Sequence, residues 1–237
     1  MRIHKLNNYD DISELAAVLV AAQLIRKPDS VLGLATGSTP LGLYERLIAM
    51  NRRGLISFAN VESFNLDEYL SLSAEHPASF ARFMQENLFN YIDIDPKRAH
   101  LPDGTASDPE KELSVYDAAI AAAGGIDLQI LGLGHDGHIG FNMPSDNFVM
   151  ESHAVELTVQ TRQANARFFD DKPEMVPQKA LTLGMKGIMS AGQIILIVNG
   201  SDKAQVLHNT LHGAITPQLP ASILQLHNNL DVICCDD

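Results

Sequence analysis

Basic residues are scarce in this chain: 17 Lys and Arg stand against 29 Asp and Glu, a formal net charge of -12. A nucleic-acid surface needs clustered cations to neutralise phosphates, so nucleic acid is excluded as a partner. A single small anion is not excluded, because backbone N–H groups at a helix N-terminus and one or two cations can hold it whatever the global charge. Long apolar runs are also missing. No uninterrupted stretch approaches the ~20 residues that cross a bilayer. Met1-Arg-Ile-His-Lys-Leu-Asn-Asn has no apolar segment or cleavage-like small residues behind its charges. The sequence therefore predicts no membrane partner, no signal peptide and a cytoplasmic location. Only two cysteines occur, adjacent at 234 and 235. Neighbours on a strand point to opposite faces and lack zinc-site spacing, so they read as core or semi-buried thiols. No Pro-, Gly- or Ser-rich linker, internal repeat or low-complexity segment divides the chain, and residues 1–237 read as a single domain with a sizeable core.

What is present is an alternation of short apolar runs with helical periodicities. Val31-Leu-Gly-Leu-Ala, Val61 to Leu66, Ile126 to Leu133, Gln193 to Val198 and Asp231 to Cys235 read as strands. Asp10 to Arg26, Leu41 to Met50, a segment from near Ser79, Glu110 to Ala123 and Lys203 to Leu211 read as helices. In the first of these helices Leu15, Val18, Leu19, Ala22 and Ile25 are expected on the core face. In the helix near Ser79, the apolar face is expected to carry Phe80, Phe83, Met84, Leu88 and Tyr91. Repeated strand–helix units imply an α/β fold: an open, mostly parallel twisted sheet with helices on both faces, Rossmann-like in its general plan.

Three loops follow strands at their carboxyl ends, where such folds place their chemistry. In the first, Thr36-Gly37-Ser38-Thr39-Pro40, hydroxyl residues and a glycine stand before a helix N-terminus, an arrangement that cradles phosphate. Neither a Walker P-loop nor a G-x-G-x-x-G fingerprint is present, which argues against nucleoside triphosphates and dinucleotides. Simple helix capping by Ser or Thr is the alternative. The second loop, Asn65-Leu66-Asp67-Glu68-Tyr69, sets two carboxylates side by side, a candidate general base and its neighbour, or a turn cap. The third, Leu131-Gly-Leu-Gly-His-Asp136-Gly-His138-Ile-Gly-Phe-Asn142, puts a carboxylate and an imidazole two residues apart on a glycine-rich turn. There His138 can act as acid or base while Asp136 fixes its tautomer or meets substrate hydroxyls. A metal held by His135, Asp136 and His138 is the weaker rival, since no further ligand lies at ligand spacing. Two cations complete the set: Arg167, in Ala164-Asn-Ala-Arg-Phe-Phe169, and Lys203, at the end of Asn199-Gly-Ser-Asp. Both suit a phosphate near Thr36.

These segments, with Ala180-Leu-Thr-Leu-Gly184 and Leu219 to His227, resemble glucosamine-6-phosphate deaminase (isomerase) over essentially the whole chain. The resemblance implies conversion of glucosamine 6-phosphate and water to fructose 6-phosphate and ammonia, with no metal or organic cofactor. It implies Asp67 as the base at C2 and C1, and His138, oriented by Asp136, as the ring-opening acid/base. Thr36, Gly37, Ser38, Thr39, Glu68, Arg167 and Lys203 would bind the phosphorylated amino sugar. One position departs from the family pattern Phe-Asn-Glu-Pro: the chain reads Phe141-Asn142-Met143-Pro144, and a thioether cannot relay a proton. The departure keeps alternatives in play: slow ring opening, a related or already open substrate, lost activity, or a non-catalytic sugar-phosphate sensor; a separate enzyme alternative is galactosamine-6-phosphate deaminase, which is similar in the same loops and differs in the hydroxyl configuration at C4. Against the sensor, the chain shows no helix-turn-helix or basic arm. The related 6-phosphogluconolactonases share a Gly-Asp-Gly-His loop, yet Asn65 to Tyr69 and Phe141-Asn142 fit the deaminase better. Regulation through a longer C-terminus is not expected of a chain ending at Asp237, and monomer against homo-oligomer is left open.

Overall fold

The computed structural model describes residues 1–235. In chain order it contains β1 (Arg2–Lys5), α1 (Tyr9–Arg26), β2 (Val31–Leu34), α2 (Leu41–Arg52), β3 (Glu62–Asn65), β4 (Asp67–Tyr69), α3 (Phe80–Asn87), β5 (Ala99–His100), α4 (Pro109–Ala122) and β6 (Leu128–Gly132). There follow β7 (His153–Glu156), α5 (Val159–Asn165), β8 (Lys179–Thr182), α6 (Met185–Met189), β9 (Gln193–Asn199), α7 (Ala204–His212) and β10 (Leu230–Cys235). Seven strands form one sheet in the order β1-β10-β9-β6-β2-β3-β5, paired in parallel throughout. This is the open, mostly parallel α/β architecture that the sequence predicts. Its inner strands β2, β6, β9 and β10 are buried and mostly apolar because helices cover them. Cys234 and Cys235 lie buried in β10 and are not joined in a disulfide, as expected.

Strand order explains where a ligand can enter. From β2 the chain moves outward to β3 and β5, then returns to the other side of β2 with β6 and proceeds to β9 and β10. That reversal leaves a crevice beyond the carboxyl ends of β2 and β6, the position at which open α/β sheets receive ligands.

A second, antiparallel sheet, β4-β8-β7, grows from the first. Leu66 joins them: its N–H donates to the Leu34 carbonyl at 3.0 Å, and its carbonyl accepts from the Leu183 N–H at 2.7 Å. Tyr69, Phe141, Met143, Leu157, Phe169 and Ala180 belong to a separate apolar cluster beside this small sheet. Asp67 to Tyr69 is therefore a strand, not the loop expected. Three residues are too few to display a period of two, and this one is held by cross-strand partners distant in sequence.

Helix α1 runs where expected but buries a different face. Ile12, Ala16, Ala17, Val20, Ala21 and Leu24 are in the core, Leu15 and Leu19 are half-buried, and Val18, Ala22 and Ile25 face outward. Apolar residues occupy nearly the whole circumference of this helix, so spacing admits two faces. The small residues decide it, because they let α1 approach its neighbours: a Cβ placed on Gly42 of α2 would lie 2.4 Å from the Ser13 hydroxyl. Helix α3 starts as expected, with the Ser79 hydroxyl accepting from the Arg82 N–H at 3.1 Å. It ends at Asn87, which leaves Tyr91 exposed instead of on its apolar face.

Candidate active site

The crevice holds a cavity of about 240 Å³ into which the loops after β2 and β6, strand β4, helix α5 and the turn before α7 all project. Pleating decides which of the two adjacent carboxylates reaches it. Residues 67 and 69 share one face of β4 and residue 68 takes the other. Asp67 and Tyr69 accordingly line the cavity, and Glu68 does not. The Glu68 carboxylate turns to α3, accepting the N–H groups of Tyr69 and Phe80 with one oxygen (2.8 and 2.9 Å) and that of Ala81 with the other (2.8 Å). The expectation that Glu68 binds substrate is corrected on this point: three backbone donors occupy its carboxylate, and it anchors the first turn of α3.

Asp67 has the opposite environment. It is 6% exposed, and no donor among the described residues reaches its carboxylate. Burial, reinforced by the charge of Glu68, pushes its pKa up to about 8. The next site loop comes close to it, since a Cβ on Gly140 would lie 3.7 Å from Asp67 Oδ2. Gly140 has φ +58°, and the methyl that most residues would add is missing just where the carboxylate passes.

His138 lines the same cavity. Its Nδ1 is 2.5 Å from Asp136 Oδ1, the oxygen that also accepts the His138 backbone N–H at 3.1 Å. Burial works against ionising Asp136, but these hydrogen bonds outweigh it and hold the carboxyl below its usual range. Asp136 thus stays behind the imidazole and fixes its orientation, leaving Nε2 as the ring nitrogen without a protein partner. Gly134 completes the seat: a Cβ there would lie 2.3 Å from two atoms of the imidazole, so the ring lies flat against the bare backbone. Among the described residues no three His, Cys, Asp or Glu side chains converge as a metal-ligand group. His135, the third member of the weaker metal reading, points instead to Asp202, 3.4 Å away.

Thr36, Gly37, Ser38 and Thr39 all line the cavity. The capping alternative fails on geometry, since Pro40 is the N-cap of α2 and no side chain of the loop bonds to the helix. Among the described residues, the hydroxyls of Thr36, Ser38 and Thr39 and the N–H groups of Gly37, Ser38 and Thr39 find no partner within the chain. Facing them are Arg167 and Lys203, neither of which forms an ion pair among the described residues. The Arg167 guanidinium lies 4.8 Å from the centre of the Phe168 ring. Burial lowers the Lys203 pKa, Asp202 opposes the shift and the Arg167 charge adds to it, so the two cations feel one another. Unspent donors opposite two uncompensated cations make a pocket for an anion.

Tyr69, Thr161 and Asn165 line the cavity and are given no role by the sequence reading. Tyr69 is legible afterwards from the i, i+2 relation to Asp67. Asn165 donates from Nδ2 to the Tyr69 hydroxyl at 2.9 Å and ties the segment bearing Arg167 to β4, a contact across 96 residues that no local pattern announces. Met143 lies outside the cavity. It is buried in the second apolar cluster, and its sulfur accepts from the Thr161 hydroxyl at 3.8 Å.

The chain is similar to proteins of known name and structure. A glucosamine-6-phosphate deaminase of Lachnoclostridium phytofermentans is 51% identical over 99% of both chains. One of Clostridioides difficile is 48% identical over 98% of this chain and 93% of its own. The solved structure of a monomeric glucosamine-6-phosphate deaminase superposes with a TM-score of 0.96 at 41% identity, covering 99% of this chain and 97% of that one. A 6-phosphogluconolactonase from Thermotoga maritima, at 22% identity and a TM-score of 0.76 over 100% of this chain and 99% of its own, shares the fold. The sequence profile of the glucosamine-6-phosphate isomerases and 6-phosphogluconolactonases matches residues 9–233, and the chain belongs to that family.

Proposed function

We propose that this protein is a glucosamine-6-phosphate deaminase, converting glucosamine 6-phosphate and water to fructose 6-phosphate and ammonia. The observation that carries the reading is the common cavity: a buried carboxylate without donors, an imidazole backed by a carboxylate, and an anion pocket open into one space of hexose-phosphate size. The similarity to deaminases along nearly the whole chain supports the same reaction.

The phosphate sits between the loop 36–39 and the cations of Arg167 and Lys203, and this binding, remote from the reacting carbons, positions them. His138 moves the proton that opens the ring at the ring oxygen, held in orientation by Asp136. Asp67 then removes the proton from C2 while the C1 carbonyl oxygen gains the proton that the C2 ammonium gives up, forming an enolamine; Asp67 returns its proton to C1, which leaves an iminium at C2. Water adds there, the C–N bond breaks, and the nitrogen departs as ammonia. An ammonium on C2 of the incoming sugar supplies the positive charge that favours ionised Asp67, offsetting the burial that raises its pKa in the empty cavity. With Met143 apolar and outside the cavity, ring opening runs through the Asp136–His138 pair without a second carboxylate.

The test is an assay of purified protein for ammonia and fructose 6-phosphate from glucosamine 6-phosphate, with galactosamine 6-phosphate in parallel. Stoichiometric release of both products from the gluco substrate is expected. Tight sugar-phosphate binding without ammonia release would make the chain a sensor, and preference for the galacto substrate would reassign the C4 specificity.

A further inference from the structure

The loop that faces the cavity is held from behind by a residue of another helix. Pro40, at the N-cap of α2, has no side-chain oxygen to offer the first N–H groups of the helix. Tyr9, the first residue of α1, takes over: its hydroxyl accepts the Gly42 N–H at 2.9 Å. The same hydroxyl lies 3.0 Å from the Ser38 carbonyl and 3.0 Å from the Thr39 carbonyl, to which it shares its one proton. Two carbonyls of the loop are thereby turned toward α1; the peptide of the Ser38 carbonyl presents its Thr39 N–H the other way, while that of the Thr39 carbonyl leads into Pro40 and has no N–H. Tyr44 secures the start of the loop in the same manner, donating to the Ala35 carbonyl at 2.5 Å. The fit around Tyr9 is close, since a Cβ on Gly42 would lie 3.0 Å from the tyrosine Cε1. Tyr9 also lines a second cleft that adjoins the substrate cavity and shares Ser38, Thr39, Arg167 and Lys203 with it. Tyr9 itself is not among the residues that line the substrate cavity.

The geometry points to Tyr9 as a positioning residue: its hydroxyl holds the Ser38–Thr39 peptide against the first turn of α2 so that the Thr39 N–H faces the substrate phosphate. This rests on the reading of the loop as the phosphate site. Its contribution is to binding the anion, not to the proton transfers at Asp67 and His138, so loss of the hydroxyl separates KM from kcat. A hydrogen-bonding role of this size changes affinity by roughly three- to tenfold.

The experiment compares wild type and Tyr9→Phe for KM, kcat and the inhibition constant of inorganic phosphate, with hydrogen exchange of residues 36–42 as the structural readout. The expected result is a KM and a phosphate inhibition constant that rise together by roughly three- to tenfold, a kcat within twofold of wild type, and faster exchange confined to that loop. Unchanged KM and phosphate inhibition in a folded Tyr9→Phe would overturn the proposal, as would a fall in kcat alone. Failure of Tyr9→Phe to fold, or exchange raised across the whole sheet, would also overturn it, by making the tyrosine architectural. Lys203→Ala serves as the separate control on the underlying reading. If inorganic phosphate does not compete with substrate in wild type and Lys203→Ala leaves KM unchanged, the phosphate site itself is misassigned; if both behave as a phosphate site and Tyr9→Phe is silent, only the role of Tyr9 falls.

Discussion

Two buried aspartates at opposite ends of the strands have been given opposite surroundings. At the amino end, Asp231 is 1% exposed and accepts from Arg2 Nε (2.7 Å), Arg2 Nη2 (2.6 Å) and Gln193 Nε2 (2.7 Å), with His4 Nε2 at 3.0 Å. Burial favours its neutral form, but these partners outweigh it and bring the pKa down to about 2. At the carboxyl end, Asp67 is 6% exposed with no donor among the described residues, and its pKa rises to about 8. One buried carboxylate is thus a fastener, and the other is left without hydrogen-bond donors beside a cavity. The partners a chain withholds are as informative as those it supplies.

The sharpest way to break this comparison is Asp67→Asn. Removing the base should lower turnover by at least about a thousandfold, at the level general-base loss reaches in other enzymes. Stability should move the other way. Because the folded pKa of Asp67 lies above its unfolded value, ionisation costs the fold: the penalty is absent below about 3.8, grows as pH rises, and is complete above about 8. Thermal melts of Asp67→Asn should therefore gain on wild type by a few kcal/mol at pH 8 to 9 and by little near pH 4. A variant that is inactive and less stable at alkaline pH would remove the contrast. In wild type, the same group predicts that kcat/KM, which reports the free enzyme, climbs with pH toward a plateau above about 8.

Gly134→Ala tests the imidazole seat. The new methyl would meet the His138 ring at 2.3 Å, and the ring, not the backbone, has to move. Activity should fall by roughly a hundredfold, since an ångström of misplacement is worth about that much. The melting temperature should stay close to wild type, and a near-normal rate would show that the ring need not lie against residue 134. Lys203→Ala, next in size, should raise KM by about tenfold with a smaller change in kcat, measured by steady-state kinetics.

How much could be read in advance divides along the same line. The main sheet is legible mostly through β2, β6, β9 and β10, which are buried and largely apolar, and through the punctuation between elements: Gly124 and Gly125, with φ of +94° and +86°, close α4 where the sequence places its end. The small sheet is not. Strands β4, β7 and β8 have three or four residues each, and β4 joins the β7–β8 pair only because the chain returns after more than a hundred residues, as when Thr182 comes opposite Asp67. Cavity-lining residues in the loops that follow buried strands, such as Thr36 after β2 and His138 after β6, are legible from those strands. The division of labour between Asp67 and Glu68 is not, since it depends on a pleat that short-range pattern does not reveal. Tyr9 hides for a similar reason: its partners are 29 to 33 residues away, on a loop that already looks complete.

Asp231→Asn sharpens the other half of the comparison and has the smallest expected effect on function. A depressed folded pKa contributes stability that is present above the unfolded value of 3.8 and lost as pH falls toward about 2. The asparagine variant should melt lower at neutral pH by about 2 kcal/mol, and this deficit should shrink as pH falls through that window, because wild type loses there what the variant never had. Turnover of glucosamine 6-phosphate should not change, since Asp231 holds β1 to β10 at the end of the sheet away from the cavity. If kcat fell with the melting temperature, the amino end of the sheet would be supporting the chemistry after all. If neither moved, four hydrogen-bonding contacts to a buried carboxylate would amount to no more than an exposed ion pair.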